Sequence, residues 1–169
     1  VTPLPPPPAN DECAGAISLT VNNDGSCSLV ATGTQAYSTQ SLAPCINTGA
    51  PAIDSWFKFV ATASTHRITV SPVSYRDKIF QVYSGSCNNL VSVACVNSGG
   101  SNESDVVLLN NLTPGNTYYI RVYDYYGNTG DSEFTICINS NTALIDNNEC
   151  SGAINVTVAS FPIFTPGYT

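Results

Sequence analysis

Positive charge is scarce in this chain: five Lys and Arg stand against twelve Asp and Glu, for a net charge of −7. So few cations exclude the electrostatic footprint of a nucleic-acid binder. They also leave no basic patch to hold the chain on an anionic membrane surface. No apolar run approaches the roughly 18 residues that a membrane helix needs, so no membrane insertion is expected. No segment sustains the 3.6-residue period of an amphipathic helix, which predicts a helical content near zero. There is one His, His66, so imidazole chemistry has a single place to occur. Met is absent and no hydrophobic leader opens the chain. Its first residue is therefore expected to be a processed end, with any export signal removed.

What is present begins with a repeated phrase. Residues 10–21 read NDECAGAISLTV, and residues 147–158 read NNECSGAINVTV. Eight of these twelve positions are identical, at an offset of 137 residues. Internal repetition is the signature of an array, so the second phrase reads as the start of another repeat. The expected organisation is a Pro-rich linker at 1–8, a complete repeat unit at 9–141, and a linker with an incomplete second repeat at 142–169. The opening VTPLPPPP favours a stiff, extended spacer. The unit at 9–141 is long enough to bury a core.

Within that unit, short segments alternate apolar and polar residues between clusters of Gly, Pro, Asn and Ser. The clearest is TYYIRVYD at 117–124: Tyr118, Ile120 and Val122 form an apolar face, while Tyr119, Arg121 and Tyr123 form an amphipathic one. In SWFKFVA at 55–61, Phe57 and Phe59 oppose Trp56 and Lys58. Further strands are predicted at 16–21, 27–33, 66–71, 78–84, 90–95, 105–111 and 133–138. The sum is about nine strands, rich in β-branched and aromatic residues. The expected fold is all-β: a disulfide-stabilised antiparallel β-sandwich of jelly-roll or immunoglobulin-like type. Pro114-Gly115 occupies the second and third positions of a turn, as turn chemistry requires.

The seven cysteines point to an oxidising, extracellular setting. Zinc is disfavoured, because the closest pair, Cys87 and Cys95, is eight residues apart and His66 is the one imidazole. Six cysteines allow fifteen connectivities. The expected set is Cys13 with Cys137, Cys27 with Cys45, and Cys87 with Cys95 across a hairpin. Cys150 is the odd one, a copy of Cys13 by the repeat offset.

Candidate sites are few. No nucleophile context surrounds His66, which is expected to face solvent from a strand, and no catalytic residue is assigned. Asp11 and Glu12 are candidate calcium ligands, because calcium takes carboxylates in such loops. The structural alternative is that Asn10 or Asp11 caps backbone groups at a turn. Asp105, Asp124, Asp131, Glu103 and Glu133 lie at strand ends or in loops. Tyr125 and Tyr126 are candidates for a sugar-stacking surface.

The order of PANDECAGAI, DSWFKFVATASTHRITVSP, YSGSC, LTPGNTYYIRVYDY and FTICI resembles the disulfide-bearing β-sandwich repeats of secreted and cell-surface proteins of Bacteroidota. It is similar in plan to the bacterial pre-peptidase C-terminal domain. The resemblance covers 9–141 and implies export by type IX secretion, with a role in adhesion, surface fibres or enzyme accessory modules. It carries no catalytic residues. The expected function is thus a non-catalytic structural or adhesive repeat of a surface protein or filament, self-assembling through its terminal segments. The alternative is a carbohydrate- or protein-binding accessory module of a secreted enzyme. The expected partners are copies of itself or adjacent repeats, a glycan or a surface protein.

Overall fold

The computed structural model describes residues 3–127 and 132–140. Cys150, Asp131 and the second copy of the phrase lie outside the described residues. Nine strands follow in chain order: β1 (Ile17–Ser18), β2 (Ala31–Gly33), β3 (Asp54–Val60), β4 (His66–Pro72), β5 (Lys78–Ser86), β6 (Asn89–Val96), β7 (Asp105–Leu109), β8 (Thr117–Asp124) and β9 (Phe134–Ser140). They build a five-stranded sheet, β1-β3-β8-β5-β6, and a four-stranded sheet, β2-β9-β4-β7. Every ladder is antiparallel except β1 on β3. Among the described residues, one 3-10 turn at Cys13–Gly15 is the whole helical content.

Alternation decides what lies between the sheets. Phe57 and Phe59 of β3, Phe80 and Val82 of β5, and Ile120 and Val122 of β8 meet Ile68, Val70, Phe134, Ile136 and Ile138 of the other sheet. The rings of Phe57 and Phe134 touch edge-on across the gap, with centroids 5.7 Å apart. Fully burying each such side chain contributes about 1.5–3 kcal/mol. Any side chain at Gly33 would collide with those two rings.

The first two strands are shorter than their alternation predicts, because Asn22 diverts the chain between them. Its amide donates to Leu29 O (2.9 Å) and Ile138 O (3.0 Å), and its Oδ1 accepts from Leu29 N (2.8 Å). Residues 22–29 therefore close on themselves instead of extending a ladder. His66 departs from expectation more sharply: it is buried, not solvent-facing. Its ring lies 5.5 Å from that of Phe59, and its Nε2 accepts from Thr62 N at 3.1 Å. Burial pushes its pKa down, which keeps the ring neutral. It starts β4 opposite Leu109 and Ser140, on the same face as Ile68.

The bridges are Cys13–Cys87, Cys27–Cys137 and Cys45–Cys95, which corrects the expected pairing. Cys13 and Cys137 lie against different sheets: Cys13, in the 3-10 turn, packs with Trp56 and Tyr83 on the outer face of the five-stranded sheet, while Cys137 lies in β9 of the other. Cys87 sits at the tip of the β5–β6 hairpin, where Ser86 pairs with Asn89, so it is strands' length away from Cys95, which opposes Gln81. The three Cα–Cα spans of 5.6, 5.7 and 6.1 Å are ordinary for disulfides. They close 74, 110 and 50 residues of chain. Such loops are worth about 4–5 kcal/mol each in the chain-entropy model.

Candidate functional site

Strand register gathers four connections at one end of the sandwich. Asp54 pairs with Tyr123, Lys78 with Asp124, and Pro72 and Gly33 both with Phe134. The segments 34–53, 73–77 and 97–104, with residues 125–127 and 132–133, therefore emerge side by side, although as many as about a hundred residues separate them in sequence.

Two buried cations fix these segments to the sheet. Arg121 projects from the outer face of β8 and is fully buried. Its Nε donates to Asp54 Oδ2 at 2.7 Å, and its other nitrogens donate to the carbonyls of Leu42, Ala43 and Ala52. Asp54 in turn accepts from the Ser41 amide and hydroxyl, and the Trp56 indole donates to the Ser41 hydroxyl. Burial pushes the Asp54 carboxyl up, and the Arg121 guanidinium pulls it back down. The guanidinium also lies over the Tyr123 ring, at 5.0 Å. Lys78, equally buried, donates to Gln35 Oε1 (2.9 Å), Ser132 O (3.2 Å) and Asp124 Oδ2 (3.3 Å). Burial pushes its ammonium pKa down, opposed by Asp124.

On this anchored end stand the most exposed tyrosines: Tyr75 at 78%, Tyr126 at 56% and Tyr37 at 52% exposure. Tyr126 meets Tyr125 edge to face, with centroids 5.0 Å apart. Tyr125 is half-buried against Ile79 and Tyr123, so it supports Tyr126 rather than extending a flat surface with it. Tyr37 holds a φ of +64° at the third position of a turn closed by Ser38 N to Gln35 O. Glycine is the residue that position favours, and a bulky side chain there costs on the order of 1 kcal/mol. Between the two neighbouring turns opens a shallow cleft of ≈ 310 Å³, lined by Thr34, Ala36, Val73, Ser74, Ser132 and Glu133. Tyr37 follows Ala36 and Tyr75 follows Ser74 in the two segments that line it. Hydroxyls, a carboxylate and exposed aromatics are groups that bind polar rings. Reading along the chain missed Tyr37 and Tyr75, because neither sits in Gly- or Asn-marked turn chemistry and the meeting of their two segments depends on register.

The repeated phrase has another task. Asn10 exchanges bonds with Trp56 along the β3 edge, its O accepting from Trp56 N (2.8 Å) and its Nδ2 donating to Trp56 O (3.2 Å). Asp11 accepts from Thr39 N (2.6 Å) and Thr39 Oγ1 (2.9 Å), tying the 34–53 segment down. Glu12 is exposed. A side chain at Gly15 would strike the carbonyl of Ala9, which explains the glycine there. Among the described residues, no three His, Cys, Asp or Glu side chains come together as a metal-binding group. Among the described residues, no helix is long and apolar enough to cross a membrane.

No curated protein matches the chain. Among solved structures, the pre-peptidase C-terminal domain of collagenase from Bacillus anthracis is 16% identical, with a TM-score of 0.47, over 73% of this chain and 93% of that one. The K3 cleaved adhesin domain of Lys-gingipain from Porphyromonas gingivalis W83 is 10% identical, with a TM-score of 0.30, over 64% and 73%. Residues 9–136 match the family described as galactose binding domain-like and associated with type IX secretion. That match spans most of the chain, which therefore belongs to the galactose binding domain-like family associated with type IX secretion.

Proposed function

We propose that this chain is a non-catalytic adhesive module of an exported surface protein, and that it binds carbohydrate at the loop end that carries the exposed Tyr37 and Tyr75. One observation carries this reading: an exposed tyrosine is held at φ +64° where glycine would be easier. Strained residues concentrate where function maintains them. The family's description supports a sugar as ligand, and three disulfides support an extracellular setting. Tyr126 adds a third exposed ring on the same end. The test is a glycan array with galactose-terminated oligosaccharides, followed by titration of the best ligand. Wild type should bind, and Tyr37→Ala with Tyr75→Ala should lose at least tenfold in affinity. A blank array overturns the proposal.

A second reading rests on the repeated phrase. Residues 153–158, AINVTV, copy 16–21, AISLTV, and strand pairing with a neighbouring molecule would satisfy their backbone. In that reading the module also self-assembles into fibres. Deleting 142–169 should then abolish assemblies seen by electron microscopy; unchanged assemblies would remove the idea.

A further inference from the structure

The same end of the sandwich buries three side-chain oxygens that have no hydrogen-bond partner: Asp77 Oδ1, Asp105 Oδ2 and Asn97 Oδ1. Asp105 is 0% and Asp77 7% exposed, so solvent does not satisfy them. Topology brings the three together. Asp77 immediately precedes β5, Asn97 immediately follows β6, and β5 and β6 are paired neighbours. Asp105 opens β7, which faces both across the sandwich. Its Oδ1 accepts from Ser98 N and Gly99 N, the two amides after Asn97. Asn102 N then donates to Arg76 O at 2.8 Å, which arches the 97–104 loop over the start of β5.

Arg76 and Lys78 flank Asp77 in sequence, and Asp124 and Asp105 add negative charge. The Lys78 ammonium is already committed to Gln35, Ser132 and Asp124. Burial, then Asp105, then Asp124 push the Asp77 carboxyl up to about 6, against the pull of Lys78. Asp105 is likewise pushed up by burial, opposed by its loop amides. At neutral pH two buried carboxylates would repel one another, each with an oxygen unanswered. Such groups ordinarily find a partner.

The geometry points to a calcium site made by Asp77, Asp105 and Asn97. All three offered atoms are hard oxygens, without nitrogen or sulfur, which selects against zinc and copper. Calcium tolerates irregular oxygen sets, whereas magnesium demands a near-ideal octahedron. Three side-chain oxygens are a minority of the 6–8 that calcium takes, so water and loop carbonyls must supply the rest. Affinity in the range of about 10⁻⁴–10⁻³ M, that of extracellular modules, is expected. The site would lock the 97–104 loop to β5. It is separate from Asp11 and Glu12, where both Asp11 oxygens already accept from Thr39.

The experiment is a thermal melt of the full, chelator-treated chain at pH 7.5, with and without about 10 mM calcium, alongside calorimetric titration of calcium. Calcium should raise Tm by about 3–6 °C, and equal magnesium by much less. Asp77→Asn should raise the Tm of the metal-free chain and abolish the calcium increment. Asp105→Asn, which keeps an acceptor for Ser98 and Gly99, should abolish it too. A silent titration overturns the site, as does an increment that survives both substitutions but disappears in Asp11→Asn. If calcium does nothing while acidification to pH 5.5 stabilises the chain, a proton on Asp77 fills the role and the site is not a metal centre.

Discussion

The two faces of the five-stranded sheet solve burial in different ways. Its inner face is apolar, and Phe57, Phe59, Phe80, Val82, Ile120 and Val122 pack against a second regular sheet. The outer face carries Trp56, Gln81, Tyr83, Arg121 and Tyr123, yet these are buried as well. Their cover is the irregular 34–53 segment and the turn at Cys13–Gly15. A sheet laid on a sheet arrives with its backbone groups already paired. An irregular cover does not, and each unpaired carbonyl it buries costs on the order of 1–3 kcal/mol. Arg121 answers this with a fork of donors to Leu42, Ala43 and Ala52, and two disulfides fasten what apolar contact alone would hold weakly.

Breaking the fork should therefore have the largest effect on the outer face. Arg121→Ala leaves Asp54 buried without its cation and three carbonyls without donors. We expect a loss of about 3–5 kcal/mol by denaturant unfolding, comparable to Phe57→Ala on the inner face. A loss below about 1 kcal/mol would mean that the cover stands without the fork. Replacing Cys45 and Cys95 together by Ala should cost about 2–4 kcal/mol and sensitise the 34–53 segment to protease, while the inner core keeps its hydrogen-exchange protection.

The inner face is also the part that could be read from the sequence. Period-two alternation gives TYYIRVYD its residues and its buried side, because neighbours along a strand determine which side each residue faces. What covers the other side is long-range information. Arg121 among aromatics was the visible hint of it, but nothing local says that Ala43 and Ala52 come to meet it. The disulfide pairing failed for the same reason: proximity in sequence suggested Cys87 with Cys95, and the hairpin register places them apart. His66 looked like a surface residue because polar side chains usually are. Its partners, Thr62 and Phe59, become neighbours once β3 turns back into β4.

Smaller effects sharpen the comparison at the loop end. Asp77→Asn should stabilise the metal-free chain by on the order of 1–2 kcal/mol at pH 7.5. The sign follows from linkage. The folded-state pKa of Asp77 is raised from 3.8 to about 6, so the destabilisation is absent below 3.8 and complete above about 6. Wild type without metal should accordingly lose stability as pH rises through that window, and the variant should lose less. Tyr75→Ala should leave stability within about 0.5 kcal/mol of wild type, since that ring is 78% exposed, while weakening sugar binding.

The most direct test is Tyr37→Gly, because it sets stability against binding at one residue. Glycine accepts φ +64° without strain, so unfolding free energy should stay level or rise by up to about 1 kcal/mol. Titration with the galactose-terminated ligand selected on the array should show at least a fivefold loss of affinity in that equally stable protein. Wild-type affinity in Tyr37→Gly would contradict the account and leave the loop end without an assigned role.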